Sequence, residues 1–208
     1  MGFAALDALG AVFFLAGMMN LLACFPDRIY ALLRRLCNPE NIMTNRILKP
    51  EPLTAAAFAP YGDVLECGTA KELRNINYGN TERFHDLARL DLGAQNGQPL
   101  VSIFRSKPLP RPIAVKVMER HPLSSQAFYP LDNRPYMVVV AEAGEFNSSR
   151  LRAFLAGPKQ GVNYAKGTWH HYSLALDAVS AFMVIDRGGP EKNCDEVFLE
   201  SENISIEY

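Results

Sequence analysis

Three residues with complementary chemistry stand close together in the middle of the chain: Glu119, His121 and Gln126. They fall in Met118-Glu-Arg-His-Pro-Leu-Ser-Ser-Gln-Ala-Phe128, which begins as the end of an alternating run and closes in an apolar one. Ile113, Val115 and Val117 alternate there with Ala114, Lys116 and Met118, the period-2 pattern of a half-buried strand. On such a strand Glu119 and His121, two residues apart, point to the same face. An acid, an imidazole and an amide aimed together into a β-rich interior make either a metal site or a polar catalytic site.

A second stretch answers the first about fifty residues later: Gly161-Val-Asn-Tyr-Ala-Lys-Gly-Thr-Trp-His-His171. Gly161 and Gly167 mark turns, and Thr168 to Leu174 has the β-branched and aromatic character of a strand. Together the two stretches resemble the paired motifs of the cupin superfamily. The first cupin motif carries two histidines one residue apart and an acid some four residues later. Here it reads Glu119-x-His121-x4-Gln126, with oxygen donors at both departures. The second motif, a glycine shortly before a ligand histidine, is matched by Gly167-Thr-Trp-His170.

These residues need a scaffold, and composition limits which. A chain of 208 residues allows one domain with a substantial core, alone or with an appendage. A net charge of −1 with scattered basic residues offers no footprint for nucleic acid or an acidic membrane surface. Cys24, Cys37, Cys67 and Cys194 are far apart and form no C-x-x-C pair, the usage of free thiols in a reducing cytosol. Frequent prolines and glycines between short apolar runs favour β-structure with many turns.

Residues 1–42 read as a hydrophobic extension, separate from a domain spanning residues 43–208. Residues 8–25 carry no charge, at the threshold length for a membrane span. The segment fits a membrane anchor, a helical appendage that packs or dimerises, or upstream sequence joined by a start placed too early. If it inserts, Arg28, Arg34 and Arg35 behind it leave the body in the cytoplasm.

Within the domain, Thr54 is placed to cap a short helix at Ala55-Ala-Ala-Phe58, which Pro60 ends. Extended runs follow at Tyr61-Gly-Asp-Val-Leu-Glu66, Asn75-Ile-Asn-Tyr-Gly79, Thr81-Glu-Arg-Phe-His-Asp-Leu-Ala88 and Leu100-Val-Ser-Ile-Phe-Arg105. Pro135-Tyr-Met-Val-Val-Val-Ala141 is apolar throughout, as a strand buried on both faces requires. Leu151 to Ala156, Val179 to Asp186 and Asp195 to Glu200 complete the set. Short strands with regular turns and little helix predict an all-β sandwich or barrel.

The combination Arg83-Phe-His-Asp-Leu-Ala88, Glu119-Arg-His-Pro-Leu-Ser-Ser-Gln-Ala-Phe128, Asn163-Tyr-Ala-Lys-Gly-Thr-Trp-His-His171 and Val184-Ile-Asp-Arg187 resembles the ureidoglycolate lyase family. The resemblance runs from about Met43 to Phe198. It implies a cupin-type double-stranded β-helix, or jelly-roll barrel, working as a homodimer in the cytoplasm. It also implies cleavage of the small molecule (S)-ureidoglycolate to glyoxylate and urea, in allantoin and purine breakdown, with nickel as the divalent metal. On that reading Glu119, His121, Gln126 and His170 hold the metal. Arg83 or Arg105 clamps the substrate carboxylate, with Ser102 and Trp169 as further contacts. His121 serves catalysis as well as the metal, His85 or His171 shuttles the proton, and Lys166 meets the carboxylate or the urea oxygen. His171, next to His170 on a strand, points to the opposite face. Two rival readings are a hydrolase on the same substrate, releasing ammonia and carbon dioxide, and a small-acid-binding cupin without turnover.

Overall fold

In the computed structural model, residues 45–208 are described. The hydrophobic segment at residues 8–25, with Cys24 and Cys37, lies outside the described residues. Among the described residues no helix is long and apolar enough to cross a membrane.

The chain runs through β1 (Arg46–Leu48), β2 (Glu51–Pro52), the single-turn helix α1 (Ala55–Phe58) and β3 (Gly62–Leu65). A hairpin of β4 (Glu72–Ile76) and β5 (Thr81–His85) follows, then the long β6 (Gln98–Ser106). Next come β7 (Ile113–Ala114), β8 (Val117–Arg120), β9 (Gln126–Pro130), β10 (Tyr136–Ala141) and β11 (Arg152–Ala156). The last part holds β12 (Gly161–Tyr164), β13 (Trp169–His170), β14 (Leu174–Ala175), β15 (Ser180–Gly188), β16 (Asp195–Phe198) and β17 (Ile204–Ile206).

These strands build an all-β jelly roll of the cupin type. A seven-stranded sheet has the order β16-β8-β13-β10-β11-β2, with β14 also paired to β10. A five-stranded sheet has the order β3-β12-β9-β15-β6. A small sheet, β1-β17-β7, covers the outside, and β4 and β5 pair only with each other.

Strand β10 shows why the layers stack this way. Tyr136, Val138 and Val140 join Phe128, Val162, Phe182 and Val184 in an inner core between the two large sheets. Met137, Val139 and Ala141 join Ile113, Ile204 and Ile206 in an outer core beneath the small sheet. A strand loaded on both faces loses its alternation, as the apolar run at Pro135 to Ala141 predicts. The expected one-turn helix forms, and the Thr54 hydroxyl accepts from Ala57 N at 3.2 Å.

One sequence expectation is corrected, and the correction matters for the site. The alternating run before Glu119 is not one strand. It breaks between β7 and β8, and Ile113, Val115 and then Met118 enter the outer core. Had the register of Ile113 and Val115 continued, Glu119 and His121 would point into that apolar core. The break shifts the parity by one residue and turns both toward the barrel interior. Gly161 is likewise the first residue of β12 rather than a turn, because a Cβ there would lie 2.5 Å from Phe128 O.

The two cores make separable demands on stability. Phe154→Ala in the inner core is expected to cost about 3–5 kcal/mol, and Met137→Ala in the outer core about 2–5 kcal/mol. Urea unfolding with an unchanged m-value is the measurement. A loss under about 1 kcal/mol for Met137→Ala would mean that the outer face is not a packed core.

Candidate active site and metal centre

Three strands and one loop bring the polar residues together. On β13, His170 pairs with Val140 of β10 on one side and with Glu119 of β8 on the other. Val140 faces the inner core, so His170 and Glu119 face it too. Gln126 opens β9 two residues before the inner-core Phe128, opposite Tyr164 of β12. The turn before β13 is closed by Thr168 N donating to Ala165 O at 3.0 Å, with Gly167 at φ +78°. Gly167 N donates to His121 O at 3.0 Å, which ties that turn to the first motif.

The result is a tight cluster. The rings of His121 and His170 lie 5.2 Å apart, and Tyr164 stacks flat on His170 at 4.1 Å. One donor atom each of Glu119, His121 and His170 lies within 4.8 Å of the others. Burial pushes the Glu119 carboxyl above its usual range, with Glu196 adding and His121 and Cys194 opposing. Burial, with a smaller push from the neighbouring His121, drives the His170 imidazole down to about 3. His170 Nδ1 is within 3.7 Å of Glu119 Oε1, but a neutral ring makes no ion pair there.

The hydrogen bonds fix which nitrogen is free. His121 Nδ1 lies 2.6 Å from the backbone oxygen of Asn193, and His170 Nδ1 lies 3.3 Å from that of His171. A backbone carbonyl only accepts, so both Nδ1 atoms donate, and in the neutral His170 ring this leaves the lone pair on Nε2. His170 Nε2 is buried without a partner. His121 Nε2 lies 3.2 Å from the side-chain amide of Gln126. A carboxylate and two imidazoles converging in one volume, with an amide beside them, are a donor set for a cation, and imidazole with oxygen donors suits borderline divalent ions. These residues fit a divalent metal.

The other residues singled out from sequence fall elsewhere. Lys166 sits in the turn before β13, paired with Asp91 at 2.7 Å. Ser102 faces inward from the edge strand β6, opposite the inner-core Val184, whereas Arg105 projects outward. Arg83 and His85 belong to the β4–β5 hairpin and line an apolar cavity of about 450 Å³ with Met183 and Ile185. Those two residues alternate with Phe182 and Val184, so the cavity lies on the outer side of the five-stranded sheet. Within this chain, neither Arg83 nor His85 reaches the metal cluster. Trp169 packs in the outer core, donating to Gly144 O at 3.0 Å beneath the Arg120 guanidinium. His171 points away from His170, as its position requires, and its Nδ1 meets Tyr172 O at 3.1 Å.

Sequence reasoning passed over Asn193, Cys194 and Tyr164. Asn193 holds the first motif three ways: its backbone oxygen meets His121, its Oδ1 accepts from Leu123 N at 2.8 Å, and its Nδ2 donates to Ser124 at 2.8 Å. It lies in a loop after the Gly188-Gly-Pro turn, where no periodicity marks it. Cys194 places its thiol 3.9 Å from Glu119 Oε2.

Two buried neutral histidines make stability depend on acid. His170 titrates near 3 and His171 near 4 in the fold, both lowered chiefly by burial. Unfolded, each returns to about 6.5. Below that pH the unfolded chain binds protons that the native state refuses, so stability rises with pH across this window. It is complete above about 6.5 and is lost as pH falls toward the folded-state values. Metal-stripped protein should therefore lose on the order of several kcal/mol between pH 7 and pH 4 in urea unfolding. His171→Gln should flatten that slope while turnover stays within about threefold, since the ring is outside the cluster. An unchanged slope would show that His171 is already protonated in the fold.

Comparison with known proteins bears on the same residues. The sequence model of the ureidoglycolate lyase family matches residues 45–207. A ureidoglycolate lyase of Burkholderia cepacia is 58% identical over 155 residues, 74% of this chain and 87% of that protein. One of Brucella anthropi is 51% identical over 157 residues, 76% of this chain and 92% of that protein. A solved dTDP-sugar isomerase from Desulfovibrio desulfuricans aligns with TM-score 0.36 and 19% identity, over 66% of this chain and 85% of that one. The family match takes in both motifs and every strand from β1 to β17, and by it the chain belongs to the ureidoglycolate lyase family.

Proposed function

We propose that the barrel interior binds (S)-ureidoglycolate and splits it into glyoxylate and urea. The observation that carries this reading is the inward cluster of Glu119, His121 and His170, with the unpaired His170 Nε2, in a chain of this family. The substrate bears a carboxylate, a hydroxyl and a ureido nitrogen on one carbon. Cleavage takes the hydroxyl proton, turns C–O into C=O, and breaks C–N with its electron pair leaving on nitrogen. That nitrogen then receives a proton, and the step needs neither an oxidant nor a covalent enzyme intermediate.

Glu119, His121, His170 and Gln126 hold the divalent ion, nickel on the family resemblance, which when bound acidifies a hydroxyl and polarises its neighbours. The second carboxylate oxygen of Glu119, which lies by Cys194 rather than by His170, is the one we assign to take the hydroxyl proton and return it to the nitrogen. Tyr164, stacked on His170, fixes that ring and keeps water from its buried face. Lys166, on releasing Asp91, offers its ammonium to the substrate carboxylate. The molecule works in the cytoplasm as a homodimer. Leu73 (54% exposed), Val101 (69%) and Ile103 (59%), on the hairpin and the edge strand, support a self-association surface.

The test incubates chelator-stripped protein with (S)-ureidoglycolate, with and without nickel, and quantifies urea, glyoxylate and ammonia. Equal urea and glyoxylate, dependent on the added ion, is the expected result. Ammonia in place of urea moves the reading to the hydrolase, and no turnover in any condition moves it to a binding protein. Asn193→Ala keeps the backbone oxygen that meets His121 but removes the side-chain bonds to Leu123 N and Ser124, and the loosened turn should weaken metal affinity or turnover roughly 10- to 100-fold. Wild-type values for that variant would show that these side-chain bonds do not position His121.

A further inference from the structure

Asp186 lies on β15, four residues after Phe182 and two after Val184, both inner-core residues. Alternation therefore sends its carboxylate to the barrel interior, while Arg187 turns outward to Ala94 O at 2.9 Å and Glu191 at 2.6 Å. Strand β15 pairs with β9 through Ile185 and Ala127. One residue further along the same register, Asp186 stands opposite Gln126, within the roughly 4.5–5.5 Å that separates the Cβ atoms of facing residues. Its Oδ1 is buried and has no hydrogen-bond partner. Arg187, the next residue and the obvious cation, turns its Nε and Nη2 donors to the other side of the sheet.

A buried carboxylate oxygen without a donor is costly, and is retained where a ligand supplies the donor. The substrate of the reading above has two chemically opposite ends. Its carboxylate and hydroxyl are the groups a cation takes, and Glu119, His121 and His170 gather on the seven-stranded sheet. Its ureido end carries only N–H donors and one carbonyl. The Oε1 of Gln126 is turned to the cation's side of the site, 3.2 Å from His121 Nε2, where the reading above assigns it to the ion. Asp186, on the opposite five-stranded sheet, is free to accept, and its charge repels the substrate carboxylate.

We propose that Asp186 is the residue that recognises the ureido group, accepting its N–H donors and so orienting the C–N bond across the barrel. The inference rests on the ureidoglycolate reading of the site. It makes Asp186 a specificity residue in contact with substrate, outside the metal-binding cluster.

Two inert ligands separate the ends. Carbamoylglycine keeps the ureido group and the carboxylate but lacks the hydroxyl and cannot be cleaved. Glycolate keeps the carboxylate and hydroxyl and lacks the ureido group. Calorimetric binding of each to the nickel-loaded wild type and to Asp186→Asn is the measurement, with melting temperature and metal content as controls. Carbamoylglycine should bind the variant roughly 10- to 100-fold more weakly, the loss of a charge-assisted hydrogen bond, while glycolate changes by less than about twofold. Equal weakening of both ligands, no weakening of either, or no carbamoylglycine binding to the wild type would each overturn the proposal. If Asp186→Asn does not fold, Asp186→Ser removes the carboxylate in a smaller side chain and is read the same way. A parallel turnover assay keeps the two readings apart. A wild type that binds carbamoylglycine through Asp186 yet leaves ureidoglycolate intact retains the recognition role and loses the lyase. A wild type that cleaves ureidoglycolate, alongside a variant with unaltered binding, loses only Asp186.

Discussion

At its centre the seven-stranded sheet is apolar on both faces, and the polar site exists under that constraint. β10 presents Tyr136, Val138 and Val140 to one core and Met137, Val139 and Ala141 to the other. Beside it, β13 is buried at both of its residues and has no solvent face on which to park a charge. Glu119 and His170 are therefore tolerated as a facing pair, each turned inward by register. Desolvation does the rest. It holds His170 neutral, lifts the Glu119 carboxyl, and leaves His170 Nε2 with a lone pair and no donor. The same burial that stabilises the layers thus prepares a cation site, and the two cannot be separated without loosening β10.

Local sequence carried much of this. The apolar run at Pro135 to Ala141, the cap at Thr54 and the glycine turn before His170 each follow from a single physical rule, and each is found in place. The residue types at positions 119, 121, 126 and 170 announced a site because such groups are expensive to bury without a purpose. Parity was less legible. The break between β7 and β8 has no glycine or proline at Val115-Lys116, and across it Met118, fully buried, takes the place in the outer core that alternation gives to Val117. That is a tertiary choice, invisible to a two-residue period.

Long-range register was the other limit. Arg83, His85 and Arg105 sit near the central motif in no local sense, and only pairing decides what they face. The structure gives Arg83 and His85 to a hairpin that joins no other sheet, against an apolar hollow outside the barrel. Asn193 shows the converse. It lies some seventy residues beyond His121, in an irregular loop, yet three of its hydrogen bonds set the ring and the backbone after it. A support of this kind leaves no periodic trace, because its contribution is geometry at one point.

The amide at Gln126 can be understood from charge placement. Glu119 lies across from it on one sheet, and Asp186 follows it in register on its own sheet. A carboxylate at 126 would set three acids around one small volume, and the substrate brings a fourth. At an effective dielectric near 20, like charges 4–5 Å apart oppose each other by roughly 3–4 kcal/mol per pair, enough to protonate one of them. An amide keeps an oxygen donor for the cation side while removing that repulsion. The negative charge that remains is divided between opposite sheets, Glu119 with the imidazoles and Asp186 apart from them. An anion with one donor-rich end then has a single favourable orientation: its carboxylate toward the cation and its N–H groups toward Asp186.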